Sequence, residues 1–125
     1  MQIQAASFAD GELVVRAPFA PNRNVHGTAF AGSLFTVCVL TAWGRIWLAL
    51  RARGLDGRIV VADSRIDYRK AVTGDLICRC TNVPNIDAFA ADGRIELPMT
   101  CTIDGPRGPA VQFDGRYVVL RSRHA

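Results

Sequence analysis

Gly32 and Ser33 open the most apolar segment of the chain, and the backbone there could bind a developing negative charge. The segment predicts a helix that begins near these two residues, runs to about Arg53 and ends at Gly54. The first N–H groups of a helix lack intrahelical acceptors, so those near Ala31, Gly32 and Ser33 could polarise a bound carbonyl. An alternative stays open, in which Ser33 only caps the helix and Gly32 only relieves crowding.

Asp63 is the residue best suited to activate a water molecule. It interrupts residues 59–66, which otherwise form an apolar strand, and a carboxylate in such a place is expected to have a partner or a purpose. The alternative is a structural ion pair with Arg65 or another arginine on a strand face.

The loop before the helix supplies further polar groups. Asn24 could hold a water molecule or bond to Asp63, and His26 could act as a base because histidine titrates near neutral pH. As alternatives, Asn24 is a turn residue and His26 is polar surface. Three aromatic side chains could line a slot for an apolar chain or belong to the core: Phe30, Phe35 and Tyr68.

The composition predicts one ordinary globular domain, spanning 1–125. Half of the 125 residues are hydrophobic, which is enough for one core. The formal net charge is +4, but the basic residues are scattered and the aromatic residues do not alternate with arginines. This pattern argues against nucleic-acid binding.

The four cysteines predict reduced core thiols and no metal site. Cys78 and Cys80 form a C-x-C pair, which is too sparse for zinc without further ligands. Residues 1–10 lack the basic start and apolar run of a signal peptide. The apolar part of residues 25–44 is shorter than the about 20 residues that a membrane span requires. We therefore expect a cytoplasmic protein with no membrane contact.

The predicted elements occur in the order two strands, one long helix and four strands, and the strand ranges are 2–8, 12–19, 58–68, 75–83, 94–103 and 110–120. Because the helix is apolar on all sides, it must be covered on all sides, and only the sheet can wrap it. An antiparallel sheet around one central helix is the α+β hotdog fold. One sheet leaves a helix flank and a sheet edge open, so we expect a homodimer or homotetramer. A generic two-layer α+β domain is the alternative.

Three sequence blocks, in order along nearly the whole chain, resemble one known family. Residues 24–35, N-V-H-G-T-A-F-A-G-S-L-F, resemble the signature N-x-x-G-T-x-F-x-G-S-L. Residues 66–75 are similar to I-x-Y-x-x-P-V-x-G-D, with Ala71 in place of the proline, and residues 113–118 are similar to F-x-G-x-Y-V. Together they resemble the YiiD C-terminal type of thioesterase, within the hotdog superfamily.

The resemblance implies hydrolysis of acyl thioesters carried by coenzyme A or by an acyl carrier protein, with no cofactor beyond the substrate. The residues then expected to take part in catalysis are Asp63, Asn24, Gly32 and Ser33. Those expected to contact the substrate are His26, Gly27, Thr28, Phe30, Phe35, Tyr68 and Arg69. Asp63 stands five residues before Tyr68, which resembles the D-H-x-x-x-F segment of another hotdog branch, although Ser64 replaces the histidine.

The central helix departs from other hotdog thioesterases. Many of them place a histidine at the helix start and an acid further along, where this chain has Phe30 and, nine residues on, Val39. No Asp or Glu occurs between Glu12 and Asp56. A non-catalytic domain that binds acyl ligands is therefore an alternative function. A hotdog hydratase is a weaker one, because that chemistry generally requires a histidine paired with an acid.

Overall fold

A long helix lies against a six-stranded antiparallel sheet in the computed structural model, which describes residues 1–121. His124 lies outside the described residues. The elements in chain order are β1 (Gln4–Ala9), β2 (Glu12–Ala17), α1 (Ala31–Ala52), β3 (Arg58–Tyr68), β4 (Leu76–Cys80), α2 (Asp87–Asp92), β5 (Arg94–Gly105) and β6 (Gly108–Leu120). A short 3₁₀ turn at Ala20–Asn22 follows β2.

The strands are ordered β1-β2-β4-β5-β6-β3 across the sheet, so β1 and β3 are its edges. Every pair of neighbours is antiparallel, and α1 packs against all strands from β2 to β6. The connection that carries α1 leads from one side of the sheet to the opposite edge, which is why the sheet curls around the helix. This is the hotdog architecture that the element order predicts.

One side of α1 is buried under the sheet and the opposite flank is open within the protomer. The buried side includes Val37, Ala42 and Ile46, each fully buried, and the open flank carries Leu40, Trp43 and Trp47, which are 43%, 39% and 42% exposed. The two tryptophan rings stack on each other, with centroids 6.5 Å apart. The prediction that a helix apolar all round is covered all round is thus met by this chain on one side only.

By length and composition alone, α1 could cross a bilayer, since it has 22 residues with a mean hydropathy of 1.6 in its most apolar window. The apolar stretch is therefore longer than the sequence pattern indicates. Half of that window is buried inside the fold, which is what a core helix under a wrapped sheet requires.

The sequence pattern misses two local features. The first is α2, whose six residues are too few to show a helical period; it ends at Gly93, which adopts the left-handed conformation (φ 75°). The second is the tightness of the β5–β6 hairpin, in which Gly105 faces Gly108 so that only Pro106 and Arg107 form the turn. Pro98 is tolerated because the half of β5 that contains it pairs with β6 alone.

The four cysteines are free and buried, as predicted. They form a thiol cluster where α1 meets β4 and β5, and the Sγ atoms of Cys38 and Cys78 are 3.9 Å apart. Hydrogen bonding to Cys78, together with burial, raises the pKa of the Cys38 thiol. The Cys38 thiol therefore stays protonated inside the core.

Candidate active site

The loop before α1 is organised by Asn24. Its Oδ1 accepts hydrogen bonds from the backbone N–H groups of His26 (2.9 Å) and Thr28 (3.2 Å), while its Nδ2 donates to Thr28 Oγ1 (2.9 Å). Gly27 completes the turn in the left-handed conformation, with φ 78°. Asn24 therefore has the turn role that the sequence left open, and the possible bond to Asp63 is not formed.

Backbone hydrogen bonds attach this loop to the segment after β3 and to the 3₁₀ turn after β2. The N–H of Ala29 donates to the carbonyl of Val72 (2.7 Å), and the N–H of Phe30 donates to the carbonyl of Asn22 (2.7 Å). The start of α1 is thereby fixed in position before any side chain is considered.

Two backbone N–H groups at the start of α1 are free among the described residues. Phe30 is the N-cap and makes no side-chain capping bond. Its carbonyl accepts from the N–H groups of Ser33 (3.0 Å) and Leu34 (3.1 Å), whereas those of Ala31 and Gly32 donate to no described acceptor. The prediction of free helix amides therefore holds for Ala31 and Gly32 but not for Ser33, which is buried and does not cap the helix.

The ring of Phe30 folds back over Gly32. A Cβ atom at Gly32 would lie 2.6 Å from Phe30 Cε1, so the glycine leaves the space that the ring occupies. Phe30 is 56% exposed and does not line the cleft described below. Phe35 packs edge-on against Phe113, at a centroid distance of 5.9 Å, as a core residue does. Of the three aromatic residues predicted to line a slot for an apolar chain, only Tyr68 lines the cleft described below.

Tyr68 connects the end of β3 to the start of α1. Its hydroxyl donates to the backbone carbonyl of Ala31 (3.1 Å), beside the free amides. Partial desolvation raises the pKa of Tyr68 above its ordinary value, and the hydroxyl is protonated and donates at neutral pH. Tyr68 therefore holds the first turn of α1 in place.

A cleft of about 310 Å³ opens beside these groups. It is lined by Asn24, Ala29, Ala31, Leu34, Tyr68, Arg69, Lys70, Ala71 and Val72. Arg69 donates to Gln112 Oε1 (3.1 Å) and Lys70 to the carbonyl of Arg107 (3.2 Å). No carboxylate of the described residues lines the cleft, so its electrostatic character is positive. Such a cleft suits an electron-rich oxygen or an anionic group.

Asp63 does not reach this cleft within the protomer. It lies opposite Arg116 in the β3–β6 pair, and its Oδ2 accepts from Arg116 Nη2 (2.6 Å) and Nε (3.0 Å). The Asp63 side chain is 65% exposed, and Arg116 also pairs with Glu96. The ion pair on a strand face, which the sequence left as the alternative, is the arrangement that forms.

A β-bulge explains the position of Asp63. Val61 lies opposite the buried Tyr117, and strict alternation would put Asp63 on that same face. The register shifts between Val61 and Asp63, so Ala62 is the extra residue and Asp63 turns to the face of Arg116. Sequence alternation could not show this shift.

Sequence reasoning did not single out Ala29, Leu34 and Val72, which also line the cleft. Ala29 and Leu34 belong to the first sequence block and Val72 to the second, and those blocks were the available signal for them. His26 lies at the exposed tip of the loop, and Arg69 lies in the cleft wall. The structure thus brings Asn24, Tyr68 and Arg69 together with the start of α1.

Comparison with known proteins assigns the family. Residues 1–121 match the family described as "Putative thioesterase (yiiD_Cterm)". The chain belongs to this family. A structure described as the putative thioesterase from Shewanella oneidensis is 38% identical, with a TM-score of 0.91 over 96% of this chain and 85% of that one.

Other members of the fold extend the likeness. A protein of unknown function from Chlorobaculum tepidum is 26% identical, with a TM-score of 0.91 over 98% of this chain and 84% of that one. A hypothetical thioesterase from Streptococcus pneumoniae, solved with coenzyme A, is 24% identical, with a TM-score of 0.63 over 96% of this chain and 91% of that one. The last of these shows the shared hotdog fold alone.

Proposed function

We propose that this member of the thioesterase family hydrolyses acyl thioesters of coenzyme A or of an acyl carrier protein. The observation that carries the proposal is the pair of free amides at Ala31 and Gly32, beside a positively charged cleft. Preorganised N–H donors of this kind stabilise the oxyanion that forms when a carbonyl is attacked. The dipole of the 22-residue α1 adds to the effect at the same end.

The reaction follows from this arrangement. The thioester carbonyl oxygen accepts hydrogen bonds from the Ala31 and Gly32 amides, and a water molecule attacks the carbonyl carbon. The tetrahedral oxyanion collapses, the C–S bond breaks, and the thiolate leaves. A base takes the proton from the attacking water and returns a proton to the thiolate, so the products are a carboxylic acid and a thiol.

His26 is our candidate for the base. Its backbone N–H donates to Asn24 Oδ1 (2.9 Å), and Asn24 is a cleft-lining residue, so the loop tip that carries His26 is held next to the cleft. A histidine can exchange a proton at neutral pH. Asp63, by contrast, is occupied by Arg116.

The carrier would contact the positive rim of the cleft. Arg69 and Lys70 stand beside the cleft and could pair with phosphate oxygens of coenzyme A or of a phosphopantetheine arm. The Streptococcus pneumoniae protein of the same fold holds coenzyme A, which makes acyl-CoA the first carrier to test.

We also propose that the functional form is a dimer paired through β3. This strand is a long sheet edge of 11 residues, on which Val60 and Val61 are 41% and 40% exposed. A long free edge presents unpaired backbone N–H and C=O groups, which invite pairing with another strand. Pairing with β3 of a second copy gives a two-fold symmetric contact that closes on itself.

A non-catalytic acyl-ligand domain is the second candidate, and one observation favours it. No Asp or Glu of the described residues lines the cleft, so water activation depends on His26 or on a second protomer. Binding of the acyl carrier requires only the amides and the positive rim.

Thiol release from acyl-CoAs of increasing chain length distinguishes the two candidates. We expect turnover that saturates with substrate and is strongest for a particular range of chain lengths. If no thiol is released from any acyl-CoA while calorimetry detects saturable binding, the domain is a binder. If neither turnover nor binding occurs with acyl-CoA or acyl carrier protein, both candidates are wrong.

A further inference from the structure

Arg45 is a buried cation without a carboxylate partner among the described residues. It is 5% exposed, and no described Asp or Glu lies within ion-pair distance of it. Its Nε donates to the carbonyl of Gly11 (3.2 Å), and the guanidinium carbon lies 4.8 Å from the centre of the Phe8 ring. Because burying an unpaired charge is costly, a counter-ion is expected near it.

Arg45 lines a second cleft. Its terminal nitrogens, Nη1 and Nη2, donate to no described acceptor, and neither is completely sealed from solvent. The cleft has a volume of about 290 Å³ and lies between the second half of α1 and the segment before α2. We call it the Arg45 cleft, and its lining is Phe8, Arg45, Leu48, Ala49, Ala52, Arg53, Val83, Pro84, Asn85, Ile86 and Asp87.

The lining combines one available charge with apolar walls. Leu48, Ala49, Ile86 and their neighbours present carbon atoms, whereas Arg53 and Asp87 neutralise each other through an ion pair of 2.7 Å at the rim. The net available charge is therefore a single positive one, at Arg45. Its ligand should carry one negative charge and an apolar body.

We propose that the Arg45 cleft binds the carboxylate of a short aliphatic acid. The planar guanidinium has two terminal N–H groups free, and this fork matches a carboxylate in a bidentate pair. The aliphatic chain would lie against Leu48, Ala49 and Ile86. A phosphate is a poorer match, because its second negative charge would have no cation in these apolar walls and would face Asp87.

The Arg45 cleft is separate from the candidate active site. Thirteen positions along α1 separate Gly32 from Arg45, which at the helical rise corresponds to about 20 Å. The inference therefore does not depend on the proposed thioesterase activity, and a binding measurement can test it even if no thioester is hydrolysed.

Octanoate is the probe for this site, and octanol is its matched neutral control. We expect octanoate to bind saturably and octanol to bind at least about tenfold more weakly, because it lacks the charge that pairs with Arg45. In two-dimensional amide NMR, octanoate should shift the signals of residues 45–53 and 83–87. Shifts confined to residues 24–34 and 68–72 would place the acid in the candidate active site and overturn the proposal.

Two variants separate a specific site from general apolar binding. Arg45→Gln removes the charge, and Ala52→Phe fills the cleft from an exposed helix position while Arg45 is kept. We expect each to weaken octanoate binding at least about tenfold. If Arg45→Gln fails to fold, Ala52→Phe decides the question. Wild-type affinity in a folded Ala52→Phe protein, or equal binding of octanoate and octanol by the wild type, would refute the inference.

Discussion

Because the Asp63 carboxylate is held in an ion pair with Arg116, we expect hydrolysis not to depend on it. Asp63→Ala should keep kcat/KM within about twofold of the wild type, because Asp63 does not line the cleft. The fold should also be kept, since an exposed pair contributes only about 0–1 kcal/mol to stability. His26→Gln should lower kcat at least about a hundredfold if it removes the base. Thiol-release kinetics provide the measurement, and circular dichroism checks folding.

Arg116→Ala is the matched control for that pair, because it breaks the same ion pair and keeps the carboxylate. A large loss of rate in Asp63→Ala alone would show that the carboxylate acts in catalysis, and our assignment of Asp63 to a structural pair would then be wrong. Full activity of His26→Gln would remove the histidine from the mechanism.

Gly32 should be sensitive to a single methyl group. In Gly32→Ala the new Cβ would meet the Phe30 ring at 2.6 Å, and the ring would have to leave its place over the helix start. Because that ring is 56% exposed, it can move, and alanine favours the helix by up to about 1 kcal/mol. We expect the melting temperature to be kept and kcat/KM to fall about tenfold.

Gly44→Ala is the comparison for Gly32→Ala, because it changes the other glycine of α1 away from the cleft. It should leave kcat/KM unchanged. An equal loss of activity in both variants would show that the effect comes from the helix as a whole and not from its first turn.

At the scale of the elements, Tyr117 joins the sheet to α1. Its hydroxyl donates to the carbonyl of Val39 (2.8 Å), and burial raises the pKa of Tyr117 above the ordinary tyrosine value. A group with a raised folded pKa contributes its stability below the unfolded pKa and loses it as the pH rises further. The wild type should therefore lose stability above about pH 10.

Tyr117→Phe should reduce that alkaline loss, at a cost of about 1 kcal/mol at neutral pH for the missing hydrogen bond. Urea unfolding at several pH values measures both effects. Tyr68→Phe is the control, because the Tyr68 side chain is half exposed and should contribute less. An alkaline slope identical in wild type and Tyr117→Phe would contradict this account.

The sequence predicts helices and strands well where an element is long enough to show a hydrophobic period. The predicted bounds of the third strand, 58–68, match those of β3, and the long helix begins within two residues of its predicted start. These elements have enough residues to show which face is buried. The strand predicted at 75–83 is shorter, at Leu76–Cys80, because Asn82 leaves the ladder and accepts a hydrogen bond from the N–H of Thr100 (2.6 Å).

The sequence predicts only part of the candidate site, for a physical reason. Backbone features such as the free amides depend on where a helix begins, and the local sequence determines that position. The direction of Asp63 depends on one extra residue at Ala62, which no periodicity can reveal. The sequence predicts that Tyr68 contacts the substrate. It does not predict the hydrogen bond from Tyr68 to the Ala31 carbonyl, because that bond depends on tertiary geometry.

At the scale of the whole molecule, self-association is the main expectation. The double variant Val60→Lys with Val61→Lys puts two positive charges on the free edge of β3, and it should convert a dimer to a monomer of 13.6 kDa. Light scattering coupled to size-exclusion chromatography measures the mass. Val83→Lys is the control, since Val83 is 76% exposed outside β3. A wild-type mass equal to one chain would contradict the proposed dimer.

Because the thiol cluster is buried, the reactivity of the cysteines reports unfolding of the chain. All four sulfhydryls are interior, so a colorimetric sulfhydryl reagent should find almost none of them in folded protein and all four after denaturation. The reagent that detects released coenzyme A should therefore start from a low background. If the signal without substrate rises during an assay, protein molecules are unfolding and exposing their cysteines. The rate of that rise would then measure how often the core is exposed.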